Sequence, residues 1–450
     1  MYLFLRRCRA ARHPRKSLSP RLVSRFGSAE GNLAAMASLL HLWACVVGIA
    51  LQPISTASGN IGFVIALTAT IIAAFLQGSQ YLLSWRELCS QLWFRCLVAW
   101  LIWSWISLAW SSDRSFGVQQ FKATRVLLWI PMLWPLRHKW WHLVTPLLCG
   151  TIVMQLIQAS QMWFDWPPST KFGRGSAFTT PTQTGLWDAV ALSYWLMFTV
   201  LAGWWRSLFS TLMAVLATTG LIWSATRAAV VAVAVELVVA NAVLAVTCKG
   251  WLRRAVFRLI IGIVILGGVS LLAQSALQRK VITAISETRQ TIAGDATATA
   301  EIRLAMWKMA WTGWKDHPLL GVGIGGIPES ISKTTTVTNS QVEMKTVTMI
   351  HSTYLQALAE TGVVGFTLLM AFVVSFFVSA FRSVRENPVW ISSFGACVVW
   401  FTAAAFDGFQ QSGGFLSIGA IVMVLACQPQ TTTRPREIGS PGPRPQDSVA

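Results

Sequence analysis

The sequence predicts an all-α polytopic integral membrane protein, with about twelve transmembrane helices and one long outer loop that contains short helices. Three observations carry that prediction. Of the 450 residues, 54% are apolar and only 12% charged, whereas a soluble domain of this size carries about a quarter charged residues. The mean hydropathy is +0.55, which points to lipid as the main solvent. The apolar residues also fall into runs of about twenty, the length that crosses a bilayer core of roughly 30 Å. The same figures exclude the disordered, fibrous and disulfide-scaffold classes.

From the N-terminus, residues 1–33 are basic and polar and read as a disordered arm. The first apolar run, 34–52, is too long for the core of a signal peptide and reads as a retained span. Further spans are expected at 60–83, 94–112, 118–136, 143–163, 186–205, 207–225, 228–247 and 258–275, which gives nine in residues 34–275. Residues 276–356 form the long loop. Residues 357–428 hold three more spans, at 357–381, 388–406 and 413–428. The tail, 429–450, is rich in Pro, Thr, Ser and Arg and reads as disordered. No internal repeat is visible.

An even number of spans places both termini on one side. With that side cytoplasmic, its segments hold 22 of the 36 Lys and Arg residues. Arg6, Arg7, Arg86, Arg137, Arg206, Arg253 and Arg382 are among them. Eight of the other 14 lie in the long loop, where the positive-inside rule has little force. The net charge of +19 therefore reports orientation and an attraction to anionic membrane lipids. A nucleic-acid partner is not expected. Eight cysteines are present and none falls in an outer loop, so neither a disulfide framework nor a metal-site spacing is read from them. Many of the 24 tryptophans sit near span ends, as at Trp110, Trp140, Trp141, Trp204 and Trp205, which fits interfacial anchoring.

Ionisable groups within the spans are few. Glu236 lies mid-span, where structural pairing is the favoured reading. Asp188 and Asp407 lie near outer ends. The outer side is richer. EIRLAMWKMAWTGWKDHPLLGVGIGG begins as an amphipathic helix with Ile302, Met306, Met309 and Trp311 on one broad face. Glu301, Arg303, Lys308 and Lys315 lie off that face. Pro318 and the glycines end it. The run Gly321–Gly326 lacks the strand–helix setting of a dinucleotide site and reads as a close-packed turn.

Only His317 and His351 lie outside among six histidines. His317 precedes Pro318 and reads as a helix-end cap. His351 opens HSTYLQALAETGVVG, where the chain re-enters the membrane. Histidine changes charge near neutral pH and so suits a general base. An interfacial histidine bonded to a carbonyl fits the residues equally well.

Three outer arginines stand out. Arg227 sits in a very short turn among small residues, WSATRAAVV, where an anion is the obvious partner. Arginine grips phosphate through two parallel hydrogen bonds. Arg303 is on the loop helix, and Arg174 lies in a second outer loop, KFGRGSAFTTPTQTG. The bland alternatives are a headgroup contact, a solvated helix face and a flexible loop charge respectively. Arginines with one histidine, facing out beside lipid, suit a substrate that carries a diphosphate and a lipid tail.

SATRAAVVA around Arg227, RLAMWKMAW followed by DHPLLGVGIGG, and HSTYLQALAETGVVG, in this order, resemble the O-antigen ligase and O-antigen polymerase superfamily of bacterial envelopes. The resemblance runs from about Gly173 to Gly365; the earlier spans match only in hydropathy. It implies transfer of O-antigen polysaccharide from undecaprenyl diphosphate to the lipid A–core, at the periplasmic face of the bacterial inner membrane, with both termini cytoplasmic. By that resemblance Arg227 and Arg303 hold the diphosphate and His351 activates the acceptor hydroxyl. Beyond what the resemblance assigns, Arg174 and Tyr354 are expected as further substrate contacts. The reaction it implies is metal-independent and inverting, with no cofactor and no ATP, because the diphosphate linkage supplies the driving force. One departure is visible: the family often has asparagine after the histidine, where this chain has Ser352.

The nearest alternative is the polymerase, which uses the same donor. Polymerases tend to have two sizeable outer loops, whereas one dominates here, and this favours the ligase. A protein O-glycosyltransferase would carry a longer C-terminal outer region. A transporter or flippase would show repeated halves and polar groups at the bilayer midplane, and neither is evident.

Overall fold

The computed structural model describes residues 20–167, 174–201, 204–247, 252–272, 299–327, 350–408 and 412–428. Their regular structure is helical throughout, with one isolated bridge between Ser55 and Phe178. In chain order the α-helices are α1 (Pro20–Leu51), α2 (Thr56–Leu76), α3 (Gly78–Ser90), α4 (Leu92–Ile106), α5 (Arg114–Ala123), α6 (Trp129–Leu133) and α7 (Trp140–Phe164). They continue with α8 (Pro181–Leu201), α9 (Trp204–Ser224), α10 (Arg227–Thr247), α11 (Leu252–Leu272), α12 (Thr299–Asp316), α13 (Thr353–Glu386), α14 (Ile391–Ala403) and α15 (Gly413–Ala426).

Among the described residues, seven helical stretches are long and apolar enough to cross a membrane, against the twelve expected. Two differences account for most of the gap. The expected span at 118–136 is not one helix. It is α5, a 3-10 turn, α6 and a second 3-10 turn that runs into α7. Pro131 and Pro135 remove backbone donors and crowd the preceding turn. The segment survives because Trp129, Ile130, Met132, Leu133 and Trp134 are buried in protein rather than lipid. In addition, α14 and α15 have only 13 and 14 residues, short of the roughly twenty that a crossing needs.

These short helices belong to the centre. α8, α14 and α15 are buried along nearly their whole length, and α8 packs on α7, α9, α10, α11 and α14. A helix that is apolar all round is buried all round. The outer helices turn large apolar side chains outward, and on α2 these are Ile61, Val64, Ile65, Ile71 and Phe75, the last 90% exposed. In water such a surface would be costly, and in lipid it is the expected solvent face.

Two expectations change here. α1 begins at Pro20, so the arm's last residues, 20–33, are helical and continuous with the first span. Proline is favoured at the first helical position, where its missing N–H costs nothing. The tryptophans also divide between packing and exposed positions. Trp140 is only 2% exposed and donates to Ser393 Oγ at 3.1 Å, whereas Trp141 and Trp205 are 57% and 78% exposed. Residues 1–19, 429–450 and much of 276–356 lie outside the described residues, as do parts of those three expected segments. The six described cysteines are free thiols.

Glu236 on α10 meets Arg258 on α11, with Oε1 to Nη2 at 2.5 Å, and also accepts from Ser193 Oγ at 3.0 Å. Both charged side chains are fully buried, so pairing, not catalysis, explains the mid-span carboxylate. Removing one member leaves the other charge buried alone, which costs about 3–5 kcal/mol. Arg258→Leu is therefore expected to lower the thermal unfolding temperature sharply in detergent. The Glu236→Leu/Arg258→Leu double variant, with no charge left behind, is expected to recover most of that loss.

Candidate functional site

The connections 107–117, 174–181, 224–227, 317–327, 350–353 and 404–408 meet at one end of the bundle, and they carry Arg174, Arg227 and His351 of the expected site residues, while Arg303 lies on α12 and Tyr354 on α13. Arg227 is the first residue of α10 and is exposed. The turn before it is tight. Ala225 has φ 50, and Ala229 and Val230 both donate to the Thr226 carbonyl, at 3.1 and 3.2 Å. The first N–H groups of a helix carry partial positive charge, and Arg227 adds a full one there.

Arg174 is bound to that turn. Its Nε donates to the Ser224 carbonyl at 2.8 Å. Its Nη2 reaches the Ala225 carbonyl at 3.3 Å and Thr226 Oγ1 at 3.4 Å. It thereby satisfies the last carbonyls of α9, which no helical N–H can reach. Burial and the positive charges of Arg227 and Arg303 lower the Arg174 pKa. Arg174 thus feels the positive charge of both other arginines, and an anion beside it would relieve that repulsion. Arg174 is an ordered part of this cluster rather than a flexible loop charge.

Arg303 comes from α12, whose packed face agrees with the expected one at Met306 and Met309 and departs from it at Trp311. Met309 and Ala310 are buried, Met306 and Trp307 half-buried, and Trp311 is exposed, with Lys315 Nζ 5.9 Å from its ring. Arg303, Trp307 and Ala310 share a face at helical spacing, and Arg303 is half-buried. Ala310, rather than the expected Trp311, completes the buried face. It packs with Val322, Ile327, Ile350 and Ala359. This cluster fixes α12 on the start of α13 and ends at Ile350, next to His351.

The glycine run is the close-packed turn that was expected. Val322 N–H donates to the Ala359 carbonyl at 2.9 Å, and Gly323 N–H to the Glu360 carbonyl at 2.8 Å. Gly325 N–H donates to Glu360 Oε1 at 3.2 Å. On the other side, Ser111 Oγ donates to the Ile324 carbonyl at 2.8 Å, and Ile324 N–H to Ser107 Oγ at 3.1 Å. Gly325 has φ 81 and packs directly on the backbone of Gly117, so no side chain fits there. The turn sutures the end of α4 to α13, where Gly362 (φ 64) interrupts the helix. His317 ends α12 through its backbone N–H, which donates to the Gly313 and Trp314 carbonyls.

His351 has φ 52, a left-handed conformation that non-glycine residues rarely hold. Its Nδ1 lies 3.3 Å from Asp407 Oδ1. Asp407 is itself held: its Oδ1 accepts from Gly408 N–H at 2.9 Å, and its carbonyl accepts from Thr353 Oγ1 at 2.9 Å. With Nδ1–H donating to Asp407, Nε2 keeps its lone pair. The His351 side chain is 32% exposed, open enough to receive a substrate. Ser352 caps α13 by accepting from Leu355 N–H at 3.4 Å. Serine and asparagine are both good N-caps, so either residue at this position could make that bond.

Tyr354 sits apart from the arginines in its bonding. Its hydroxyl donates to the Phe401 carbonyl at 2.9 Å, and its ring lines an apolar cavity with Trp100, Phe372, Trp400 and Leu416. Of the four non-glycine residues with positive φ among the described residues, His351 is itself a candidate site residue, and Ala177 and Ala225 lie close in sequence to Arg174 and Arg227. Such conformations cluster at functional sites because surrounding structure must hold them. Sequence reasoning noted Asp407 only as a carboxylate at a span end. It lies 56 residues beyond His351, and no local pattern links the two.

The chain matches none of the curated proteins with which it was compared. Residues 212–370, which carry Arg227, Arg303 and His351, match the family model described as O-antigen ligase, and this match supports assignment of the chain to the O-antigen ligase and polymerase superfamily.

Proposed function

We propose that the chain is an O-antigen ligase, which transfers polysaccharide from undecaprenyl diphosphate to a sugar hydroxyl of lipid A–core at the periplasmic face of the inner membrane. The observation that carries this reading is the gathering of three arginines at the bundle end that also holds the His351–Asp407 pair. Arg227 and Arg303, with Arg174 behind them, hold the donor diphosphate. The acceptor hydroxyl oxygen attacks the anomeric carbon and forms the new C–O bond. Its proton passes to Nε2 of His351, while Asp407 on Nδ1 orients the ring and stabilises the imidazolium. The bond from the anomeric carbon to phosphate breaks. The electron pair leaves with undecaprenyl diphosphate, whose charge the arginines neutralise. Attack opposite the leaving group inverts the anomeric centre. The dominance of a single outer loop favours the ligase over the polymerase.

Deletion of the gene followed by gel analysis of the lipopolysaccharide tests the assignment. Loss of all long-chain material, with polymer retained on its lipid carrier, is the expected result. Core capped with a single repeat would instead identify a polymerase.

A further inference from the structure

Glutamine is seldom fully buried, yet α7 buries three on one face. Gln155, Gln158 and Gln161 are 0%, 0% and 4% exposed, and their spacing of three residues aligns them along the helix. The last two lead to one place, the loop that carries Arg174. Gln161 Oε1 accepts two consecutive backbone N–H groups, Ser176 at 3.1 Å and Ala177 at 3.0 Å, while its Nε2 donates to the Ala177 carbonyl at 3.0 Å. One side chain thus satisfies three backbone groups around Ala177, whose φ of 46 needs such support. One turn deeper, Gln158 Nε2 lies within reach of Gly175 O (3.5 Å), Gly220 O (3.3 Å) and Asp188 Oδ2 (3.3 Å). Asp188 is tied in turn to Gln155 Nε2 at 3.0 Å.

The loop that these amides fix is the one that fixes the arginine turn. Gly175 N–H donates to the Trp223 carbonyl at 3.1 Å, and Arg174 spans the carbonyls of Ser224 and Ala225, next to Arg227. Gly220 closes the other side, since a Cβ there would meet Asp188 and Gln158 at 2.8 Å. We infer that Gln158 and Gln161 are positioning residues that set the placement of Arg174 and Arg227 from inside the bundle. They touch no substrate and act through the 174–177 loop. The inference rests on the proposed role of the arginines as a diphosphate site.

The test separates the two. Hydrogen exchange of the protein in lipid nanodiscs reads the loop directly: Gln161→Ala is expected to speed exchange at Ser176 and Ala177 by at least about tenfold, since a buried amide loses its acceptor. Unchanged exchange there would overturn the inference whatever the ligand. Binding of undecaprenyl diphosphate then reads the consequence. Gln161→Ala and Arg174→Ala are each expected to weaken it about tenfold, and the double variant to be no weaker than Arg174→Ala alone. Losses that multiply in the double variant would mean that Gln161 acts independently of Arg174, and would overturn the inference. A wild-type protein that binds no undecaprenyl diphosphate would refute the proposed donor, while the exchange measurement still decides the role of Gln161. If Gln161→Ala does not insert, Gln158→Leu is measured in the same two ways, with Gly175 and the 224–227 turn as the reporting amides.

Discussion

His351→Ala is expected to slow transfer by about 10²–10⁴-fold, the usual contribution of a positioned general base. Membrane insertion and affinity for undecaprenyl diphosphate are expected to stay near wild type. The reason is geometric. His351 is partly open, and its Nδ1 faces Asp407, so under the proposed mechanism Nε2 takes the proton while the arginines hold the donor. Asp407→Asn tests the same pair from the other side. The amide keeps the shape but not the negative charge that stabilises the imidazolium, so transfer is expected to fall with donor affinity unchanged. Steady-state transfer rates and a separate binding measurement check both. Normal transfer by His351→Ala would remove the base from the mechanism.

Arg227→Ala is expected to weaken binding of undecaprenyl diphosphate by roughly 10- to 100-fold, since a hydrogen bond to a charged group contributes about 1.5–3 kcal/mol. The effect is expected to be large because Arg227 adds its charge to the positive end of α10, in a cluster that already lowers the Arg174 pKa. Taking this charge out also removes its repulsion with Arg174, so the free protein is expected to be no less stable, and thermal unfolding without ligand checks that. Unchanged donor affinity in Arg227→Ala would contradict a phosphate role.

Sequence alone was informative where chemistry is local. Helix ends that follow from proline, glycine and apolar length were legible, as for α9 and α10 around the turn at Arg227. The packed glycine turn and the pairing of Glu236 were legible too. Non-local packing was not. The span expected at 118–136 broke because Pro131 and Pro135 could be accommodated inside protein, a fact that depends on partners far away in sequence. On α12, Met306 and Met309 turn inward as expected, but Ala310 rather than Trp311 joins the buried cluster. The exposed face of Trp311 could not be told from a buried one by periodicity.

The site shows the same division. Arg227, Arg303 and His351 were found as residue types in exposed, membrane-rim settings, but their grouping was not visible. Arg174 looked like a loop charge until its bonds to Ser224 and Ala225 placed it beside Arg227. Asp407 stands in the sequence only as a carboxylate at a span end, and the α7 glutamines carry no local signal, because each partner lies in another helix or loop. Tyr354 shows the converse: it stands in the right motif, yet its hydroxyl is bonded to Phe401.

Reconstitution tests the proposed chemistry most directly. Purified protein in nanodiscs, given undecaprenyl-diphosphate-linked polysaccharide and lipid A–core without ATP, is expected to join the polysaccharide to the core and release undecaprenyl diphosphate. Under the same conditions the His351→Ala protein is expected to give almost none. An unchanged donor beside a competent acceptor, or equal product from the two proteins, would contradict the account.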